Sequence, residues 1–187
     1  MARPKSDDKR SAILSAATHV IAREGLGAAT AAIAKQAGVS NGSLFTYFET
    51  KADLLNHLYV ELKTEMAEAA LHGLGQGSSR DQFRHMWTGW LGWATASPDK
   101  RRALAQLQVS DEVTAASHRL AQQRMAGIAR LLEDARDSGP MRQAPLGLVV
   151  SLMDAVAEAT IDYMLHDPAH ARAHEQAGFE AMWRIIA

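Results

Sequence analysis

The sequence predicts an all-α protein of about nine helices, in which a three-helix head precedes a larger helical body. Residues that favour helices, chiefly Ala, Leu, Glu, Gln and Arg, dominate the chain. Apolar side chains recur at spacings of three and four residues, and the alternation typical of strands is nowhere sustained. Both observations argue against a fold built on a sheet.

The composition is that of a globular protein without disulfides. Of 187 residues, 47% are hydrophobic and 22% are charged, which is ordinary for a chain that buries a core. The absence of cysteine excludes disulfides and thiolate metal sites. No apolar run approaches the ~20 residues of a membrane span, and the first residues lack the apolar core of a signal peptide. We therefore expect a cytoplasmic protein.

The charge is unevenly distributed along the chain. The net charge of −1 argues against a general polyanion binder. Residues 1–55 contain seven Lys and Arg against five Asp and Glu, whereas the remainder contains 13 against 16. The first part is thus slightly basic and the rest slightly acidic, which suits a binding head on a body that does not bind polyanions.

Three helices are predicted before residue 50, and capping residues or glycines mark their ends. Ser6 can cap a first helix, whose apolar face repeats with helical spacing and which Gly25 ends. A short helix is predicted over about 31–37. Ser40 caps another that extends to Phe48.

A longer helix then leads into a linker. Thr50 opens this helix, with Asp53 at the reciprocal position of a capping box. The linker is the glycine-rich segment 73–79. Ser79 and Gln82 have the spacing of a second capping box and predict the start of the next helix.

Proline and glycine separate the remaining helices. Pro98 stands at a first helical position. One long helix is predicted over about 112–137, and another over about 144–166. Asp167 and Pro168 then begin the last helix.

The two short helices and their connection fit a helix-turn-helix. Leu44 and Phe48, four residues apart, can anchor the second helix to the core. Lys51 adds a positive charge just beyond it. The outward residues of this helix are small, polar or aromatic, which suits a groove better than bulk water: Asn41, Gly42, Ser43, Phe45, Thr46 and Tyr47.

These residues closely resemble the DNA-binding head of the tetracycline-repressor (TetR) family of bacterial transcription regulators. The matching elements extend over roughly residues 10–56 at fixed spacing. They are Ile33-Ala34, Ala37-Gly38-Val39-Ser40, Gly42-Ser43-Leu44, Tyr47-Phe48, Lys51 and Leu54-Leu55. The resemblance implies a DNA-binding domain over residues 1–50 and a ligand-binding and dimerisation domain over residues 51–187.

The resemblance also implies roles for individual residues of the second short helix. Asn41, Ser43 and Thr46 would face base edges in the major groove. Tyr47 and Lys51 would bind the DNA backbone. For an isolated aromatic pair a place in the core would be the simpler explanation, but the complete spacing of the motif favours DNA binding.

The remaining positions of the head include departures from the family pattern. Ser40 would cap the recognition helix, and Gly42 would allow close approach of the DNA. Phe45 stands where the family often has tyrosine, so it could pack on a thymine methyl or a sugar but cannot donate to phosphate. Thr30 alone remains of the Thr or Ser pair that usually precedes the first short helix. A basic N-terminal arm could compensate: Arg3, Lys5, Lys9 and Arg10.

The last two helices are the expected dimer surface. TetR-like proteins pair these helices across a twofold axis, and specific binding needs two heads spaced by a helical turn or a multiple of it. Small Ala155 and Ala159 would allow close approach. The expected interface residues are apolar: Val149, Met153, Val156, Phe179, Met182, Trp183 and Ile186. The alternative is that the core of one subunit uses both faces.

The resemblance implies a small-molecule effector pocket in the body. Tryptophan and methionine would suit an adaptable aromatic cavity, although for any single tryptophan a place in the core is the simpler interpretation. Asp154 and Glu158 belong to an acidic stripe that is most often a solvated edge, and one of them could meet a cationic ligand. The candidate ligand-binding residues are Met86, Trp87, Trp90, Met125, Asp154 and Glu158.

We therefore expect a homodimeric transcription regulator, and specifically a repressor that a small molecule releases from a palindromic DNA operator. The alternative is a helical small-molecule-binding or protein-interaction module that has lost sequence-specific DNA binding. The sequence contains no HExxH or P-loop motif, so we expect neither an enzyme nor a cofactor. His166, His170 and His174 are spaced by four, but the Pro168 break argues against a metal site.

Overall fold

The computed structural model describes the backbone from Lys5 to Ala187 and the side chains from Asp7 onward. Arg3 and the side chain of Lys5, both assigned to the predicted arm, lie outside the described residues, as does the predicted cap at Ser6. Ten α-helices and one 3-10 turn form the secondary structure of this part of the chain. They are α1 Lys5–Glu24, α2 Thr30–Gln36, α3 Asn41–Tyr47, α4 Lys51–Leu71, α5 Ser79–Ala96, α6 Pro98–Gln108, α7 Ala115–Arg124, α8 Ala126–Arg136, α9 Leu146–His166, the 3-10 turn Pro168–His170 and α10 Ala171–Ile186.

The all-α class is confirmed, and the extra helix comes from one break. The single helix predicted over about 112–137 is divided into α7 and α8 by Met125. This residue has φ −85° and ψ 0°, and a ψ near zero lies in the sparsely populated bridge region outside the helical well. Periodicity continues across such a one-residue break, so the pattern of apolar residues does not reveal it.

Two predicted caps in the head form as expected. The amide of Ser43 donates to Ser40 Oγ at 3.0 Å, and that of Asp53 donates to Thr50 Oγ1 at 3.0 Å. Asp53 Oδ2 in turn accepts from the amide of Glu49 at 3.1 Å. In a regular capping box the donor would be the amide of Thr50, one residue later. The first turn of α4 is thereby fixed to the segment that follows α3.

The cap of α5 lies one residue earlier than predicted. The amide of Asp81 donates to Ser78 Oγ at 3.2 Å, and the Ser78 hydroxyl donates to Asp81 Oδ2 at 2.6 Å. The prediction of Ser79 with Gln82 was therefore wrong by one position. Serines occupy both 78 and 79, and acceptors occupy both 81 and 82, so the sequence contains two overlapping capping patterns.

The helices form two compact units. The head unit contains the residues up to Thr64 together with Ser97–Gln123, and the body unit contains Glu65–Ala96 and Arg124–Ala187. The head unit has 12 Lys and Arg against nine Asp and Glu, and the body unit has eight against 12. The predicted boundary near residue 50 separates a DNA-binding domain from a ligand-binding and dimerisation domain, and it stays a prediction.

Helix α6 belongs to the head unit, where it packs on α1. Gln106 Nε2 donates to the carbonyl of Ile21 at 3.1 Å, close to the turn at Gly25, whose φ is +83°. His19 Nδ1 lies 2.7 Å from Asp99 Oδ2 near the other end of α6. These contacts join the first helix of the head to a segment about eighty residues later in the chain.

The core of the body unit is aromatic. Phe83, Trp87 and Phe179 are fully buried, and the Phe83 ring lies 6.0 Å from that of Phe179. The guanidinium of Arg84 covers the Phe179 ring at 3.9 Å, and a cation over an aromatic face is favourable. Helix α5 packs on α8, α9 and α10 around these rings.

We expect Gly178→Ala to destabilise the close pairing of α9 with α10. A methyl group on Gly178 would overlap Thr160 Oγ1 and lie 2.9 Å from Thr160 Cγ2. Thr160 has little freedom to move, because its hydroxyl donates to the Val156 carbonyl at 2.7 Å and its side chain is β-branched. Overpacking of this kind costs about 1–3 kcal/mol. Urea denaturation measures the loss in free energy of unfolding.

Gly92→Ala is the matched control, since Gly92 also lies inside a helix but an added methyl would meet no atom within 4 Å. Alanine there should stabilise the protein by up to about 1 kcal/mol through helix propensity. Equal effects of the two substitutions would contradict the packing explanation.

Candidate nucleic-acid interface

Helix α3 is held on the head by two buried side chains. Leu44 is 0% exposed and Phe48 is 1% exposed, as their four-residue spacing predicts. Helix α2 reaches α3 through a turn in which Gly38 has φ +69°, a conformation that favours glycine. The turn is closed by the amide of Val39, which donates to the Ala34 carbonyl at 3.0 Å.

The opposite side of α3 is open to solvent. Asn41, Gly42, Phe45 and Thr46 are exposed, and 41% of the Phe45 surface is accessible. A single exposed aromatic side chain is common on protein surfaces, so it is the position of Phe45 among small polar residues that points to an interface. A methyl group added to Gly42 would meet no atom within 4 Å, so the space above this helix is free.

The other predicted contact residues border this face. Ser43, Tyr47 and Lys51 are half-buried, whereas Ser40 is exposed. The Ser40 hydroxyl is used as the cap of α3. The structure thus brings the predicted recognition residues to one side of the head.

The first short helix presents few polar groups. Ala29 occupies the N-cap position of α2 without a side-chain hydrogen bond, and Thr30 is the first helical residue. Thr30 is half-buried and Ala31 is exposed. That this helix makes fewer DNA contacts stays a prediction.

The described part of the predicted arm belongs to α1. Lys9 is exposed and Arg10 is half-buried. The guanidinium of Arg10 lies 5.3 Å from the Phe48 ring centroid and 3.9 Å from the Glu61 carboxylate. Arg10 therefore packs against the head as part of α1.

Comparison with known proteins identifies the head. Residues 13–58 match the family model of bacterial regulatory proteins of the tetR family. A solved structure from Shewanella sp. PV-4, assigned to the tetR family of transcription regulators, is 28% identical with a TM-score of 0.83, over 94% of this chain and 96% of that one. Residues 13–58 thus form a tetR-family domain, and the whole chain is similar to a TetR-family transcription regulator.

Further TetR-family structures share the whole fold. A transcription regulator from Marinobacter aquaeolei VT8 is 23% identical with a TM-score of 0.87, over 100% of this chain and 99% of that one. FadR from Bacillus subtilis, solved with stearoyl-CoA, is 17% identical with a TM-score of 0.71, over 95% and 99%. Members of the TetR family bind operator DNA and small-molecule effectors and act as dimers.

The predicted effector residues are distributed over three places in the body unit. Met86, Trp87 and Trp90 are buried on α5, and the rings of Trp87 and Trp90 meet edge to face at 6.0 Å. Met125 is half-buried at the break between α7 and α8. On α9, Asp154 is half-buried and Glu158 is exposed.

Among the described residues, two buried indole nitrogens of α5, those of Trp87 and Trp93, have no hydrogen-bond partner. The indole nitrogen of Trp87 makes no hydrogen bond although the side chain is 0% exposed. A buried N–H without an acceptor is unfavourable. It is therefore a candidate donor for a bound molecule.

Most of the predicted dimer residues are used by the core of the chain itself. Val149, Met153, Phe179, Met182 and Ile186 are at most 3% exposed, which leaves them no surface for a second subunit. Val156 and Trp183 are half-buried. The strongest apolar periodicity marked the inner face of these helices, which is what the burial of the largest side chains requires.

The outer face of α9 and α10 forms a shallow groove of small residues. It is lined by Ala155, Val156, Ala159, Tyr163, Ala177 and Ala181, among others. Tyr163 is 64% exposed. The sequence signal for this face is the recurrence of alanine at four-residue spacing on both helices, at 155 and 159 and at 177 and 181.

The 3-10 turn before α10 brings two histidines to one carboxylate. His170 Nδ1 lies 2.9 Å, and His174 Nε2 3.1 Å, from Asp167 Oδ2. Hydrogen bonds from His174 and then from His170 lower the pKa of Asp167 below its ordinary value. Asp167 is engaged in these contacts and makes no side-chain cap to the helix that follows.

None of the helices from residue 5 onward combines the length and the apolar character needed to cross a bilayer.

Proposed function

We propose that the chain is a homodimeric repressor that binds operator DNA through α3 and responds to a small molecule held in its body unit. The observation that carries this proposal is the outward face of α3, where an exposed phenylalanine lies among small polar residues while Leu44 of the helix and Phe48 at its C-cap are buried. A regulator of this kind acts on chromosomal DNA, so we propose a cytoplasmic location.

For DNA recognition we propose two groups of residues. Asn41, Ser43 and Thr46 would contact base edges, with Gly42 allowing close approach. Tyr47 and Lys51 border the face and would bind the phosphate backbone. Thr30, at the start of α2, would add at most a single backbone contact.

Phe45 is the proposed source of an apolar preference. Its ring is exposed and carries no hydrogen-bonding group, so a phosphate would gain nothing from it. A thymine methyl in the major groove is the apolar partner that base pairs offer. We therefore propose that Phe45 selects thymine in each half-site.

For dimerisation we propose the small-residue groove of α9 and α10. Small side chains let helices of two subunits approach closely, and Tyr163 supplies the large exposed ring that dimer interfaces favour. This proposal replaces the buried residues of the sequence interpretation and keeps Val156.

For the effector we propose a site beside Trp87 in the body unit, with Met86, Trp90 and Met125 as apolar neighbours. The unpaired indole N–H supports it, because a ligand acceptor would satisfy that donor. Asp154 or Glu158 on α9 would favour a cationic ligand.

The proposed response uses the continuity of α4. This helix extends without a break from Lys51 to Leu71 and contributes residues to both units. A ligand that favours a different orientation of the body end of α4 would also move the head end. DNA and ligand would then weaken each other's binding by the same factor.

The backbone contacts can be tested with Tyr47→Ala and Lys51→Ala, on operator DNA selected from a random pool. Because phosphates are alike in all sequences, each variant should weaken binding to operator and to unrelated DNA by similar factors. Loss of the Lys51 charge should reduce the slope of log K against log salt by about 1. Arg142→Ala, an exposed arginine of the body unit, is the control and should leave the slope unchanged. An unaltered slope in Lys51→Ala would remove this residue from the interface.

The thymine preference can be tested by replacing each operator thymine with deoxyuracil, which lacks only the 5-methyl group. One position per half-site should weaken the wild type about fourfold, since a buried methyl contributes about 0.8 kcal/mol. Phe45→Ala should lose this sensitivity at that position and keep it elsewhere. If Phe45→Ala retains the full pattern, Phe45 does not contact a thymine methyl.

The dimer surface can be tested with Ala159→Asp by sedimentation equilibrium. Leaving a carboxylate unpaired in a buried interface costs about 3 kcal/mol, so the dimer dissociation constant should rise by about 100-fold. Ala105→Asp makes the same change at an exposed alanine of α6 and should leave the dimer intact. A stable Ala159→Asp dimer would place the interface elsewhere.

A further inference from the structure

The side chain of Asn56 on α4 makes two hydrogen bonds to the backbone of the segment before α7. Its Nδ2 donates to the Glu112 carbonyl at 2.8 Å, and its Oδ1 accepts from the Thr114 amide at 2.8 Å. The second Nδ2 proton is available to the Ala52 carbonyl of the same helix, also at 2.8 Å. A carboxamide has the donor and acceptor of a peptide group, so this one side chain can pair with both the Glu112 carbonyl and the Thr114 amide.

The segment held by Asn56 is the cap of α7. The Thr114 hydroxyl accepts from the Ser117 amide at 3.2 Å, and the Thr114 carbonyl accepts from the His118 amide at 3.0 Å. One turn further along both helices, the Tyr59 hydroxyl lies 3.1 Å from His118 Nδ1. Tyr59 is only 5% exposed. The side chains of Asn56 and Tyr59 therefore join the first half of α4 to α7 and its cap, and all these contacts lie within the head unit.

The same part of α4 determines where α3 points. Asp53, three residues before Asn56, accepts from the Glu49 amide, and only residues 48–50 separate α3 from α4. Phe48 in this connection is buried. With so short and so well-anchored a connection, α3 must follow any rotation of the first turn of α4.

Helix α7 is also the last part of the head unit before the chain enters the body unit. The units divide between Gln123 and Arg124, and the helical backbone is interrupted at Met125. A one-residue interruption of this kind is a natural place for a change of helix direction. The contacts of Asn56 thus hold, within the head unit, the start of the helix that the chain follows before it enters the body unit.

We propose that Asn56, together with the Tyr59–His118 contact, is a positioning device that fixes the orientation of α3 for a correctly spaced operator. Asn56 does not touch DNA in this proposal. It acts by holding α4 to α7, so that both heads of a dimer present their α3 helices at one separation. The proposal rests on the proposed role of α3 in reading DNA.

The test compares wild type with Asn56→Ala on the selected operator and on the same operator with one base pair inserted at its centre. The insertion adds about 3.4 Å and about 35° between half-sites, so the wild type should discriminate strongly against it. In Asn56→Ala, binding to the native operator should weaken about tenfold, which corresponds to about 1.4 kcal/mol and is the scale of one or two lost hydrogen bonds. The preference for the native over the inserted operator should also fall about tenfold.

Non-specific DNA supplies a readout that a folding defect would alter and a positioning defect would not. Affinity for unrelated DNA should stay within about twofold of wild type, because the phosphate contacts of each head are intact. Hydrogen exchange at the Thr114 amide should become faster, since its acceptor is lost. Gln82→Ala is the control: it removes a side-chain amide that donates to the Gly75 carbonyl at 3.1 Å in the body unit, and it should change none of these quantities.

Two further variants keep the test decisive if Asn56→Ala does not fold. Asn56→Asp keeps the acceptor for Thr114 and loses the donor to Glu112, and Tyr59→Phe loses only the hydroxyl. Each should relax the spacing preference, and together they should do so by a factor different from the product of the two single effects. An unchanged spacing preference in the folded variants overturns the proposal. A wild-type protein that selects no operator at all instead overturns the proposed function.

Discussion

The seating of α3 on the head core is the constraint on which the rest of the molecule depends. At most 1% of the surface of Leu44 and of Phe48 is exposed. Their burial leaves the opposite face of a two-turn helix in solvent. A helix of seven residues is too short to be stable alone. Its order therefore comes from these two side chains, from the Ser40 cap and from the connection to α4, so the same contacts that create the helix also aim it.

Helix α4 connects the α3 segment to the remainder of the chain. Its first turn is fixed to the α3 connection by Asp53, and its first half is fixed to α7 by Asn56 and Tyr59. Its last turns belong to the body unit. One rigid helix therefore has polar contacts concentrated at the head and apolar burial along its length. The proposed response to a ligand depends on this helix.

In the body unit, α9 and α10 bury one face in the core and leave the other face available for the proposed dimer. On α9 and α10 the large side chains, such as Met153 and Phe179, are buried inside the unit. The face turned outward is built from Ala155, Ala159 and Ala177, with Tyr163 at its edge. Large side chains stabilise a fold most when they are fully buried, whereas small ones permit a second pair of helices to approach. The proposed dimer therefore uses the residues that the core does not need.

The sequence by itself determined the all-α class, the TetR-like head, the anchoring of α3 and two caps at Ser40 and Thr50, because spacing and capping chemistry are local properties. It could not separate α7 from α8, since Met125 changes one backbone angle without interrupting the apolar period. It could not choose between the overlapping caps at Ser78 and Ser79. Nor could it show that Val149 and Met182 point inward, that α6 joins the head, or that Asn56 meets Thr114 fifty-eight residues later. Those outcomes depend on which helices pack together, and only the tertiary structure decides which face of an amphipathic helix its own chain covers.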